Sequence, residues 1–299
     1  MDPSQEKIMP DVAENQRSSF LTPLNWVGME KVALPLKLKG GQQVQAEADI
    51  FVNVAKKEAK GIHMSRLYLS INESFANEVL SVSLVQEVLD HFVDSQRGLS
   101  NSAKIVLRWS EMHRRKALLS EFSGWKTYPA ELHAEKSKGE FKIDLKFSFF
   151  YSSACPCSAA LSRQLYQQAF SKEFCDDNLN FEKVFNWLGE NQIATPHSQR
   201  SRADVIVRLA ENTDSISIIK CIDLLETSLK TPVQTAVKRE DEQEFARLNG
   251  ENTMFVEDSL RIMKNALSNF KEVESFEVKT HHFESLHAHD AVGSVTSDH

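Results

Sequence analysis

The chain is poor in the residues that staple or break structure. Four cysteines (Cys155, Cys157, Cys175 and Cys221) in 299 residues do not make a disulfide scaffold, and in a reducing compartment they are expected as thiols. Only ten glycines and eight prolines are present, in keeping with compact sheet-and-helix structure. No stretch approaches the roughly 20 apolar residues that a membrane-spanning helix needs. The first twenty residues are polar and acidic and lack the apolar centre of a secretory signal. A cytoplasmic protein with no membrane partner is therefore expected. Basic residues are also scarce: 35 Lys plus Arg stand against 42 Asp plus Glu, a formal charge of −7. That balance argues against a nucleic-acid partner, whose phosphates demand a clustered basic excess, but it leaves room for a local pocket for a small anion. What remains, 41% hydrophobic and 26% charged residues, is an ordinary soluble composition, long enough for one large domain or two moderate ones.

Periodicity switches repeatedly along the chain. Val32, Leu34, Leu36 and Leu38 alternate with other residues, as do Val44, Ala46, Ala48, Ile50, Val52 and Val54. With Gly40 and Gly41 between them, these segments read as an antiparallel hairpin. Residues 73–96 read as a helix, followed by strands near 105–109, 117–133 and 143–149. Residues 158–193 look helical and carry no chemical motif. Val205, Val207 and Leu209 mark a further strand. Ile218, Ile222, Leu225 and Leu229 form one amphipathic stripe, and Val256, Leu260, Met263 and Leu267 another, with Asn252 or Thr253 placed to cap the second helix. A last strand spans about 273–283. Two strands, helical material and two more strands thus occur roughly twice, which defines an α+β class with mostly antiparallel sheet. The expected division is a disordered tail over 1–20, one unit over 21–140, a second over 141–290 and a disordered tail over 291–299.

Five stretches concentrate unusual chemistry: His63-Met64-Ser65-Arg66, Cys155-Pro156-Cys157-Ser158, Pro196-His197-Ser198-Gln199-Arg200-Ser201, Lys238-Arg239-Glu240-Asp241-Glu242 and Phe283-Glu284-Ser285-Leu286-His287. Four sit at strand ends or in connections, where function concentrates. Pro156 between two cysteines removes a ladder donor and turns the chain out of its sheet. A zinc ribbon is excluded, because no second cysteine pair follows at a suitable spacing. Residue types alone leave two readings open. One is a mononuclear metal site built from a thiolate, imidazoles and a carboxylate. The other is two buried structural thiols with solvated histidines and a solvated charge run.

The motifs HMSR, CPCS, HSQRS, KREDE, FVED and FESLHAHDA, in that order and with the opening PDVAENQ and LNWVGMEKVALPL, resemble the GTP cyclohydrolase family of type IB over about residues 9–292. The resemblance implies a tunnelling fold: two tandem units of antiparallel sheet plus a helix pair, assembling as a homotetramer around a barrel. It implies conversion of GTP and water to 7,8-dihydroneopterin triphosphate and formate, the first step toward tetrahydrofolate. It implies one divalent metal, zinc, iron(II) or manganese, held by Cys155, His197, Glu242 and His287, with Cys155, His197 and His287 in the catalytic machinery. Glu257 of FVED and Glu284 of FESLH match purine-pocket positions, and a carboxylate suits the adjacent N1–H and N2–H2 donors of guanine. Arg66, Arg200, Lys238, Ser198 and Ser201 are triphosphate candidates by residue type. For His63 and Arg66 a phosphate role and a structural turn after Gly61 fit equally well. The 158–193 segment is longer than the family's connection between CPCS and PHSQR and reads as an insertion. Two other readings compete: an NADPH-dependent nitrile reductase of the same superfamily, in which the HSQRS and FESLHAHD histidines would be idle, and a non-catalytic binding protein, which has no reason to retain this donor set.

Overall fold

A computed structural model describes residue 13 and residues 16–175, 179–211 and 213–297. Among these residues eight strands pair in sequence order, β1 to β8, as one antiparallel sheet, with seven helices. The strands are β1 (Leu24–Lys37), β2 (Gln43–Val54), β3 (Ser102–Lys116), β4 (Ser123–Ser137), β5 (Glu140–Ala154), β6 (Ser198–Leu209), β7 (Val273–His282) and β8 (Ala291–Thr296). The helices are α1 (Met64–Asn77), α2 (Val82–Ser95), α3 (Pro156–Glu173), α4 (Phe181–Glu190), α5 (Ile218–Leu229), α6 (Arg239–Glu251) and α7 (Val256–Ser268). The doubled order expected from periodicity is visible: β1-β2-α1-α2-β3-β4, then β5-β6-α5-α7-β7-β8. The helical pair α3–α4 sits between β5 and β6, and α6 precedes α7. None of the described residues forms a helix long and apolar enough to cross a membrane.

The chain forms two compact units. The first takes the chain to Glu111 with Pro129–Phe147 and Val207–Ile218; the second takes Met112–Tyr128, Ser148–Ile206 and Ile219–His299. In the first, the β1–β2 hairpin aligns Leu34 with Ala46 and Leu36 with Val44, and Gly40 and Gly41 turn it with φ of +101° and +88°. Its inward alternate residues, including Leu36, Ala48, Ile50 and Val52, are buried, each large aliphatic contributing about 1.5–3 kcal/mol. The single helix expected over 73–96 is two. Glu78 is extended, and Ser81 starts α2 afresh by accepting the N–H of Leu84 through its hydroxyl. The stripe Ile218, Ile222, Leu225 and Leu229 is buried as expected, its last three members in the second unit. Helix α7 packs on β7 and β8 through Leu260, Met263 and Leu267. Gly293 lets β8 approach, since a Cβ there would stand 2.6 Å from Leu260 Cδ1. The cap of α7 is not Asn252 or Thr253 but Phe255, whose N–H is taken by Asp258 Oδ2 at 3.0 Å.

The two expected tails fare differently. Residues 1–12, 14 and 15 lie outside the described residues, while Ser18 N–H donates to the Glu58 carbonyl. At the other end, Ala291–Thr296 is strand β8, paired with Glu277–His282 of β7; Val292 and Val295 alternate with small and polar residues over too short a run to read as a strand. Residues 298 and 299 are outside the described set, as are 176–178 of the 158–193 segment.

A polar ladder crosses the strands of the first unit. Asp49 on β2 is buried and accepts from the Lys31 N–H (2.9 Å), at an irregularity of β1, and from Arg108 Nη1 (2.7 Å) on β3. Arg108 Nε donates to Glu131 on β4 (2.9 Å), which also takes Lys146 Nζ of β5 (3.1 Å) and the His133 ring. Burial acts to raise the Glu131 carboxyl, but the His133 and Lys146 bonds more than offset it and hold it at about 2, below the ordinary 4.5. A carboxyl held low in the folded state contributes stability above its unfolded value and loses it as pH falls through the folded value. Glu131→Gln is therefore expected to lower the urea midpoint near neutral pH and to flatten its fall between about pH 4.5 and pH 2. An unchanged acid limb in the variant would refute the ladder's role.

Candidate active site

The end of β5 delivers Cys155 to the start of α3. Cys155 is extended (φ −72°, ψ 123°), and Pro156 occupies the first helical position, where its missing N–H costs no bond. Two main-chain groups stitch this turn to the start of β6: Cys155 N–H donates to the His197 carbonyl (3.2 Å), and His197 N–H donates to Ser158 Oγ (3.0 Å). CPCS and HSQRS, 39 residues apart between Ser158 and His197, thus become one local structure.

From His197 a line of polar side chains runs inward. His197 Nδ1 lies 3.2 Å from Gln199 Oε1, and Gln199 Nε2 donates to Ser153 Oγ at 3.0 Å. Ser153 Oγ is 2.9 Å from Ser201 Oγ and 3.3 Å from His282 Nδ1, and His282 Nε2 is 2.9 Å from the Tyr151 hydroxyl. Tyr151, Ser153, Gln199, Ser201 and His282 are all buried. Burial pushes His282 down to about 4, with Glu257 acting the other way, so the ring is neutral near pH 7. Burial also pushes the Tyr151 hydroxyl up to about 12, so it stays protonated.

The other expected residues take varied positions. Glu284, partly buried, brings Oε2 to 3.9 Å from His197 Nδ1. Glu257 is solvent-exposed in the first turn of α7. Ser198 and Arg200 point outward on β6, and the Arg200 guanidinium lies 5.1 Å over the Phe150 ring. Ser201, expected as a triphosphate contact, instead points inward and is fully buried on Ser153, because it shares the inward face of β6 with Gln199. Lys238 is exposed, its Nζ 4.8 Å over the Phe122 ring. In KREDE the buried carboxylate is Asp241, not Glu242. Asp241 accepts from the N–H groups of Leu119, Ser120 and Lys238 and from the Ser120 hydroxyl. Burial opposes its ionisation, yet these donors hold it far below the usual carboxylate range. Glu242, one position on around the helix, faces solvent. His287 lies in an exposed turn and stacks on His289 with 5.0 Å between rings. In the first unit, His63 and Gln96 exchange main-chain and amide bonds, and Arg66 donates to the Ser95 carbonyl at the end of α2.

The donor types suit a divalent ion, and the fold holds two of them, Cys155 and His197, on stitched segments. The expected convergence of all four is not seen: among the described residues no three His, Cys, Asp or Glu side chains are gathered to hold a metal. Glu242 and His287 both stand in solvent.

Solved structures place this architecture in a known class. Uricase from Arthrobacter globiformis superposes with a TM-score of 0.50 over 92% of this chain and 94% of that chain at 9% identity. A hyperthermostable mutant of the Bacillus sp. TB-90 urate oxidase gives 0.51 over 92% and 99% at 8% identity. The fold is the tunnelling fold of those proteins. The family model described as "Type I GTP cyclohydrolase folE2" matches residues 9–293, and the chain belongs to that family. The protein called GTP cyclohydrolase FolE2 in Hydrogenovibrio crunogenus is 44% identical over 296 residues, 97% of this chain and 94% of its own length. Its namesake in Pseudoalteromonas translucida is 44% identical over 290 residues, 95% and 96% respectively.

Proposed function

We propose that this chain is a GTP cyclohydrolase of type IB that converts GTP and water to 7,8-dihydroneopterin triphosphate and formate in folate biosynthesis. The observation that carries the reading is the stitched pair Cys155 and His197, backed by a buried polar line, in a chain 44% identical to named GTP cyclohydrolases along nearly its whole length. A divalent metal, zinc, iron(II) or manganese by the softness of its donors, belongs to the proposal, with Cys155 and His197 as its anchoring donors and Glu242 and His287 as the remaining two. Such an ion, when bound, supplies a water acidic enough to be hydroxide near neutral pH. The chain's own residues do the rest. His197, with Nδ1 at the Gln199 amide, keeps Nε2 as its nitrogen for the ion, and a carboxylate holds the guanine edge.

Between the two purine-pocket carboxylates, Glu257 is the better anchor. Glu284 directs one oxygen to His197 Nδ1, whereas bidentate recognition of guanine needs both. Glu257 makes no hydrogen bond among the described residues and keeps both oxygens available. Arg200 and Lys238, exposed cations of the same unit, are suited to the triphosphate. Homotetrameric assembly and a cytoplasmic location complete the proposal. In its support, β1 and β8 end the strand order with one neighbour each, and α4 exposes Phe181, Phe185 and Leu188.

The test is incubation of the reduced, metal-replete protein with GTP, reading formate and the fluorescent oxidised pterin. Equimolar formate and pterin are expected. Their absence, together with consumption of NADPH on a nitrile substrate, would assign the chain to the other activity.

A further inference from the structure

Gln199 is held at both ends of its amide, and the direction of its bonds fixes a proton. Its Oε1 faces His197 Nδ1 at 3.2 Å and its Nε2 donates to Ser153 Oγ at 3.0 Å. An amide oxygen only accepts, so the ring nitrogen it faces must carry hydrogen. The Ser153 hydroxyl, which can donate or accept, does not by itself choose between this amide orientation and its reverse. Glu284 favours the first: its Oε2, 3.9 Å from the same Nδ1 and too far for a hydrogen bond, is a negative neighbour that favours hydrogen on that nitrogen. With the amide oxygen bonded to this nitrogen and the carboxylate beside it, the neutral ring is Nδ1–H, and Nε2 keeps its lone pair.

We propose that Gln199 is a positioning residue that locks His197 in the Nδ1–H tautomer, with the buried Ser153–His282–Tyr151 line as the anchor that keeps the amide from turning. The anchor suits the task because it is buried and internally satisfied. Ser153 contacts Gln199, Ser201 and His282, and the neutral His282 ring offers one donor and one acceptor to Ser153 and Tyr151. It can therefore complete its bonds in either sense without drawing the proton from His197. The consequence for chemistry is that Nε2, not Nδ1, is the nitrogen left with a lone pair to donate at the site. The inference rests on the reading of His197 as a residue of the GTP site, but its main readout does not depend on turnover.

Long-range proton–nitrogen correlation spectra of the full-length, histidine-labelled protein report the tautomer directly, with His197 assigned by the loss of its signals in His197→Gln. The parent should show Nδ1–H. Gln199→Met, which fills the space without an acceptor, should abolish that preference, and Gln199→Glu, which keeps an acceptor toward Nδ1, should preserve it. Loss of an orienting partner of this kind costs about 10–100-fold in activity, so kcat should fall by that factor in Gln199→Met with KM little changed. If Gln199→Met does not fold, Ser153→Ala leaves the amide in place but frees its far end, and should give a mixed tautomer. An Nε2–H ring in the parent, or an unaltered tautomer in every folded variant, would overturn the proposal. A parent with the Nδ1–H ring that releases no formate from GTP would instead leave the positioning role standing and remove the proposed activity.

Discussion

Alanine at His197 is expected to lower kcat/KM for GTP by more than about 100-fold, beyond what loss of a mere partner of a metal ligand costs, and to weaken metal binding, while the protein stays folded. The separation is built into the site. Both bonds that stitch HSQRS to CPCS on the His197 side use main-chain groups, the carbonyl taken by Cys155 and the N–H given to Ser158, and alanine retains them. Cys155→Ala keeps its N–H donor for the same reason, so it should lose turnover, and bound metal with it, without losing the turn. The other thiols serve as controls. Cys175 is exposed, and Cys221 is buried in α5, where desolvation pushes its thiol up to about 12 and makes it inert at neutral pH. Cys175→Ala and Cys221→Ala should retain the parent rate per folded molecule. Steady-state formate release, normalised to protein folded by circular dichroism, decides the matter. Full turnover in either the His197 or the Cys155 variant would place the chemistry elsewhere.

Much of this architecture was legible because it is written in alternation and stripes. The β1–β2 hairpin follows from two runs of period two around Gly40 and Gly41, and α5 and α7 follow from apolar residues recurring every third or fourth position. The misses have local physical causes. A serine cap at Ser81 divides what reads as one helix, since capping of a backbone N–H outweighs the apolar continuity across it. Helix α6 has a charged sequence and almost no apolar stripe, and its inward residue is an aspartate whose burial depends on four donors. Strand β8 is six residues long and rich in small side chains.

The site divides in the same way. CPCS and HSQRS stand out by composition, yet their being stitched together is a tertiary fact across an intervening helical pair. The buried line was missed although half of its signal was present. Along β6 the inward positions are Gln199, Ser201, Ala203, Val205 and Val207, and the outward ones include Ser198 and Arg200. Extending the apolar alternation of residues 203–207 back by two steps separates the buried pair from the exposed pair inside one motif. The same extension places Tyr151 and Ser153 inward on β5 and Thr280 and His282 inward on β7. What alternation cannot supply is which strands are neighbours, and without the order β5-β6-β7 these polar residues have no partners.

ATP should be converted roughly 10⁴-fold less efficiently than GTP, and Glu257 should be the residue responsible. Guanine offers N1–H and N2–H2 side by side, two donors that one carboxylate accepts together; adenine offers a lone pair at N1 and no amino group at C2. A carboxylate covered by adenine would lose its water and gain no partner, and sites built on such hydrogen bonds reject the analogue that lacks them by ~10⁴–10⁵-fold. Glu257 is exposed in the free protein and uncommitted, so it pays no prior interaction to receive the base. Glu257→Gln replaces one acceptor oxygen by a donor that opposes a guanine N–H, so it should lower kcat/KM for GTP heavily and close most of the gap to ATP. The buried line should survive the change, because burial, not the Glu257 charge, dominates at His282, and losing a charge that raises it leaves the ring neutral. Glu284→Gln should behave differently. Its carboxylate faces His197 Nδ1, so the variant should lose kcat for both nucleotides and keep the preference between them. Formate release from GTP and ATP by the parent and both variants separates the two roles. Equal turnover of the two nucleotides by the parent would refute a carboxylate-read purine edge, and collapse of the preference in Glu284→Gln but not in Glu257→Gln would exchange the assignments.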